Sequence, residues 1–263
     1  MAKKLCLALG SGGSRGIAHV GFLQALDENG IKPDCIVGCS MGAIVGACYA
    51  AGITPKQMKE TVESLKFKDI VDVHFFPFTK KGLLRSVKMR NKITSLLGNA
   101  NFDDLKIPFA CIAVDLVKGD VVTLKNGNVS EAVSASSSIP TVFRPVEIGD
   151  MELVDGGVLE RVPVRVAKEE FKPDVIVAVD VLGKLREFKP LKGLLSLLLK
   201  VVEVNDCHQT KQYYKKYKPN LLIEPELGDM LEFKVERLDF AYEEGYKAGL
   251  KYVKKIKKLL EKD

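Results

Sequence analysis

Nothing in the 263-residue chain approaches the roughly 18 consecutive apolar residues that a membrane-crossing helix needs. The nearest candidate, LKGLLSLLLKVV (191–202), is interrupted by Lys192 and Lys200 and reads as a buried or interfacial helix. The N-terminal MAKKLCLALGSGG starts basic, but its apolar run is too short for a secretion signal. A glycine loop stands where a cleavage site belongs. Cysteine is sparse. Cys6, Cys35, Cys39, Cys48, Cys111 and Cys207 form no Cys-x-x-Cys pair, and several sit in apolar segments. They read as small reduced core residues, which excludes a disulfide scaffold and a thiolate metal site and points to a cytoplasmic protein. Basic residues nowhere interleave with aromatics as a nucleic-acid platform would require, so no nucleic-acid partner is expected. Internal repeats, low-complexity tracts and linkers are lacking too, which favours one domain over 1–263.

What is present is an ordinary globular balance of 46% hydrophobic and 28% charged residues, with a net charge of +6. Much of that charge is local: residues 247–263 hold seven lysines against Glu261 and Asp263. The pattern AYEEGYKAGLKYVKKIKKLLEK is helical, with lysines opposing the negative end of the helix dipole. A solvated terminal helix explains it, and attraction to an anionic membrane is the alternative. Short β-like runs such as KLCLAL (4–9), DCIVGC (34–39), IPFACIAVDLV (107–117) and PDVIVAVDVL (173–182) alternate with helical patterns. EIGDMELVDGG (147–157) suggests a hairpin. The alternation predicts a three-layer α/β/α fold with a mainly parallel central sheet.

Two stretches carry chemistry. LALGSGGSRGIAHVG (7–21) places a glycine loop between a strand and a helix, where bare backbone can approach an anion. It fails as a dinucleotide fingerprint, because from Gly10 the third glycine is replaced by Arg15. It fails as a P-loop because no Gly-Lys-Ser/Thr follows. DCIVGCSMGAIVGA (34–47) contains Gly38-Cys39-Ser40-Met41-Gly42, a G-x-S-x-G pentapeptide between a strand and a helix. That context fits a nucleophile elbow, with the alternative of a tight turn ending in a helix-capping serine.

A serine nucleophile needs a base. Of the three histidines, His19 lies in the glycine-loop helix, His74 in DVHFFPF and His208 in VNDCHQT. Only His208 could complete the order serine, acid, histidine, yet it sits in a polar helical run, and all three read as structural or surface residues. Asp155, at a strand end before Gly156 and Gly157, is the better candidate. An Asp-Gly turn explains it equally well in isolation.

Together GSGGSRGIAHVGFLQAL, GCSMG and DGG, with ASSSIPTVFRPVEI (135–148) between the last two, resemble the patatin-like phospholipases in content, order and spacing. The resemblance spans about residues 4–182, and AYEEGYKAG resembles the family's last helix. Ser11 departs from a glycine frequent in the first motif, and Glu160-Arg161 stands where an asparagine is frequent. The resemblance implies a Ser–Asp dyad, with Ser40 the nucleophile and Asp155 taking its proton. By it, Gly38 and Gly42 flank the elbow and Gly12 and Gly13, assisted by Ser14, give N–H groups to the oxyanion. Arg15 and Gly16 support that loop. It also implies hydrolysis of acyl-lipid esters through an acyl-enzyme, with no metal or other cofactor. Two other readings stay open: a histidine-assisted esterase or acyltransferase, and a lipid-binding protein without turnover. FFPFTKKGLLRSVKMRNKITSLL (75–97) reads either as a surface helix packed on the core or as a lid touching a bilayer. The lid reading, the less favoured of the two, implies a transient peripheral membrane contact; the oligomeric state is left open.

Overall fold

A computed structural model describes residues 3–64, 87–140, 142–183, 193–228, 230 and 237–261. The run KLCLAL becomes β1 (Leu5–Leu9), buried along its whole length because helices cover both faces of the sheet. Its alternation divides the core. Leu5, Leu7 and Leu9 pack in one cluster with α1 (Ile17–Glu28), α2 (Met41–Ala51), α4 (Val87–Leu97) and α5 (Val129–Ser136). Cys6 and Ala8 face a second cluster with α6 (Val164–Phe171) and Tyr214 of the long helix α7 (Leu194–Lys216). These are the two helical layers, and the three-layer expectation holds.

The strands β2 (Cys35–Gly38), β3 (Phe109–Asp115), β7 (Val175–Val179) and β8 (Leu221–Ile223) run parallel to their neighbours around β1. The remaining three, β4 (Asp120–Leu124), β5 (Val146–Ile148) and β6 (Met151–Asp155), pair antiparallel, so the sheet is mixed with a parallel centre. Its order is β5-β6-β3-β2-β1-β7-β8, with β4 on β3. The hairpin expected in EIGDMELVDGG is β5–β6, turning at Gly149 with φ 62°.

One detail of this topology positions the site. Cys111 of β3 pairs with Gly38 on one edge and Leu124 on the other. Ala113 pairs with Asp155 and Val122. Since β4 occupies the same edge throughout, β6 must take over the edge that β2 vacates after Gly38. Two residues along a strand span about 7 Å. The end of β6 therefore arrives, antiparallel, just above the end of β2.

Helix α3 (Pro55–Ser64) follows α2, and α8 (Leu238–Leu260) closes the described chain. The latter lies on α1, where a side chain at Gly245 would strike Ala18 and one at Gly249 would strike Phe22 and Ala25. The two helices thus run parallel, and α1 leads away from the C-terminal strand ends. The lysine-rich end of α8 consequently sits at the opposite edge of the sheet. Of the segment 75–97, only Val87–Leu97 is described, as an amphipathic helix with Ile93 and Leu97 in the core; 75–86 lie outside the described residues. The six cysteines are buried free thiols. Among the described residues no helix is long and apolar enough to cross a membrane.

Candidate active site

Where β2 ends, the chain turns sharply into α2, and Ser40 is the residue on the turn. Its backbone, φ 53° and ψ −120°, is a conformation that costs a non-glycine residue on the order of 1–3 kcal/mol. The turn is this tight because α2 starts against the preceding strand. A β-carbon at Gly42 would run into the carbonyl oxygens of Leu9 and Gly10, and one at Gly38 would strike the backbone of Ala43 and Gly42. Both flanking glycines of the pentapeptide are required by contact. The strain on Ser40 is held by α2 and by the amide of Ser40 donating to Ser136 Oγ at 3.0 Å.

Asp155 stands at the end of β6. Its carboxylate accepts the Gly157 N–H at 2.8 Å and the Cys39 thiol at 3.8 Å, and the Ser40 side chain lies near enough to act on it as a donor. Burial is the largest influence on it and raises its pKa from 3.8 to about 6, against the lowering effect of these three donors. The Cys39 thiol is itself pushed well up by burial and by nearby carboxylates, so it remains a neutral donor. Ser40 and Asp155 are each only 5% exposed.

The glycine loop joins β1 to α1 through a single 3-10 turn, Gly13–Gly16, in which the Arg15 N–H donates to the Gly12 carbonyl at 3.1 Å. Gly13 takes φ 52°, open to glycine at no cost. Gly16 rests against Met41, the residue after Ser40, and Arg15 is buried. The loop carrying Gly12, Gly13 and Ser14 therefore lies beside the elbow. The glycine loop, the turn at Ser40 and the DGG turn lie side by side, with Gly16 against Met41 and Gly157 against Ser11.

Of the two described histidines, one is engaged by the glycine loop and the other is exposed. His19 is buried, with Nε2 2.8 Å from the Gly10 carbonyl; burial lowers its pKa to about 4, so at neutral pH it is an uncharged donor that steadies the glycine loop. His208 is exposed on α7 and His74 lies outside the described residues.

The sequence pattern gave no hint of what the serine-rich block does. Ser136 accepts from the Ser40 amide and the Ser138 carbonyl accepts from the Asp155 amide at 2.9 Å, so one short segment fixes the backbone at both ends of the Ser–Asp contact. Ser134 and Ser138 hydroxyls donate back to carbonyls one turn earlier, at 2.6 and 2.8 Å, which ties the segment to α5. Arg161 was equally silent. It is 3% exposed and ion-paired to Asp180 at 2.7 Å and Asp206 at 3.0 Å.

A family profile described as patatin-like phospholipase matches residues 7–168. The chain belongs to the patatin-like phospholipase family. Among curated relatives, an uncharacterized NTE family protein of Mycobacterium tuberculosis is 37% identical over 160 residues, 61% of this chain and 44% of that protein. A lysophospholipase, NTE1, of Cryptococcus neoformans is 33% identical over 203 residues, 72% of this chain but 12% of its own length. This patatin-like chain thus spans less than half the length of the curated relatives it matches. Among solved structures, VipD from Legionella pneumophila shares the fold with a TM-score of 0.55 at 14% identity, covering 97% of this chain and 67% of that one.

Proposed function

We propose that this patatin-like protein is a serine hydrolase of lipid acyl esters working through Ser40 and Asp155. The observation that carries the reading is Ser40, on a strained strand-to-helix turn, beside a buried carboxylate whose pKa burial raises to about 6. Ser40 Oγ attacks the ester carbonyl while its proton passes to Asp155. A carboxylate of pKa 6 is a stronger base than an ordinary aspartate and is still ionised at neutral pH. The tetrahedral oxyanion is received by the N–H groups of Gly12 and Gly13 with Ser14, on a loop shaped by Arg15 and Gly16. Losing one such donor costs on the order of 3–4 kcal/mol of barrier. The alcohol departs with the proton from Asp155, and water, deprotonated by Asp155 in turn, releases the acid. The lysophospholipase relative favours a lysophospholipid or phospholipid ester as substrate.

Lipid reaches this site from the C-terminal edge of the sheet in our reading. Leu197, Val201 and Val204 form one exposed stripe of α7 at helical spacing, and Leu116 and Val117 are exposed just past the end of β3. The lysine-rich end of α8 lies at the far edge, so that helix does not serve the approach. The test is mass spectrometry of intact protein after fluorophosphonate treatment. One adduct is expected on wild type, none on Ser40→Ala and a strongly slowed reaction in Asp155→Asn, with His208→Ala unaffected. A folded wild type that takes no label refutes the reading.

A further inference from the structure

The turn that begins with Asp155 ends at Arg161, and its two ends do different work. Asp155 meets Ser40. Six residues on, the Arg161 carbonyl accepts the N–H of Ser11 at 3.0 Å, one residue before the glycines of the oxyanion loop. The neighbouring Gly10 N–H is taken by the Val179 carbonyl at 3.0 Å, and Gly12 lies against the Val181 side chain with no room for a β-carbon. The loop is thus seated on two supports, the Arg161 backbone and the end of β7.

The Arg161 side chain locks those supports to each other. Its Nη2 donates to Asp180 Oδ2 at 2.7 Å and to the Gly183 carbonyl at 3.0 Å, and its Nη1 to Asp206 Oδ2 at 3.0 Å. Asp180 immediately follows β7. Its other oxygen accepts the amides of Leu182 and Gly183, both at 3.1 Å, and Tyr214 of α7 donates to Oδ2 at 3.2 Å. Asp206 is held in turn by Thr210 at 3.2 Å. A planar fork is suited to bridging two carboxylates from different elements, and a lysine's point charge cannot reproduce both arms. A buried cluster of this kind is a weak source of net stability, because desolvation offsets the attraction. Its value here is geometric.

We infer that Arg161 is a positioning residue for catalysis: by clamping the end of the Asp155 turn to β7 and α7, it fixes the Ser11–Gly13 backbone at the spacing the oxyanion requires. This rests on the hydrolase reading for its kinetic consequence, though its structural consequence stands independently. Two measurements on the full chain test it. First, backbone amide exchange is compared for wild type, Arg161→Lys and Arg165→Lys. Arg165 makes a similarly placed pair with the buried Glu160 at 2.9 Å and reaches Tyr213 of α7, but its ion pairs, to Glu160 and Glu169, touch neither Asp180 nor Asp206. Faster exchange confined to residues 10–14 in Arg161→Lys, absent in Arg165→Lys, is expected; unchanged exchange in a folded Arg161→Lys overturns the inference whether or not the protein hydrolyses esters.

Second, kcat and KM are measured on a soluble acyl ester together with inhibition by a trifluoromethyl ketone, which binds as a hemiketal oxyanion. Arg161→Lys should lower kcat at least ten-fold with KM within two-fold, and weaken the ketone to the same degree as kcat. Arg165→Lys should match wild type. A kcat for Arg161→Lys equal to that of wild type overturns the inference. If Arg161→Lys does not fold, Asp206→Asn, which keeps the Asp180 arm, decides it: a three-fold or larger loss of kcat supports the clamp, and wild-type kcat and exchange refute it.

Discussion

Replacing Asp155 by asparagine should make the protein more stable while abolishing its chemistry, and the size of the gain should depend on pH. Asp155 is buried, and its pKa rises from 3.8 to about 6 on folding. Between those two values the folded state binds a proton that the unfolded state has lost. Stability from this group is therefore fully present below pH 3.8 and is lost as pH rises through about 6. The displacement of about two units, at about 1.4 kcal/mol each, amounts to roughly 3 kcal/mol of stability withheld above pH 7. Asparagine resembles the neutral acid in shape, can still accept the Gly157 N–H, and carries no charge to desolvate. For a chain of this size 1 kcal/mol moves Tm by about 2–4 °C. Asp155→Asn should thus melt about 6–12 °C above wild type at pH 8, with about half that gain at pH 5 and almost none below pH 4. Calorimetry of both proteins across this range provides the check. A gain that does not change with pH, or a lower Tm at pH 8, would falsify the claim that burial of a charged Asp155 is what raises its pKa. Active sites held at a cost to stability behave in this way.

Other consequences follow from the same geometry. Log kcat/KM of wild type on a soluble ester should climb with unit slope to about pH 6 and then level off, because Asp155 must be ionised to accept the proton; a profile flat to pH 4 contradicts this. Gly42→Ala should lose most soluble folded protein or several kcal/mol by denaturant unfolding, since the new methyl meets backbone carbonyls that cannot move aside. Ser136→Ala strands the Ser40 amide in a buried place, at about 1–3 kcal/mol, and should lower labelling of Ser40 as well as Tm. His19 should remain uncharged down to about pH 4, visible as an imidazole NMR signal that does not shift between pH 8 and pH 5.

Local pattern settled a good deal of this protein. The alternation of apolar runs with helical periods is a property of the chain alone, and it was enough to imply strands covered on both faces. The elbow was legible because G-x-S-x-G encodes a steric demand, room for α2 to start against Leu9 and Gly10. The glycine loop announced an anion by its bare backbone, and the missing third glycine and missing lysine excluded the phosphate motifs. That Ser40 and Asp155 belong together was legible only through resemblance to a family, since 115 residues separate them and no periodicity connects them.

Tertiary structure alone decided why they meet. β6 occupies the edge of β3 that β2 leaves free beyond Gly38, an arrangement set by strand pairing across the whole sheet. It alone raised the basicity of Asp155, because desolvation depends on what surrounds a carboxylate in space. It also gave Arg161 a purpose. In sequence that arginine is one charge beside Glu160. In the fold it meets Asp180 and Asp206, 19 and 45 residues away. Sequence carries the demands a residue makes on its own backbone. The charges and donors that answer a buried side chain come from distant segments, and only folding brings them within 3 Å.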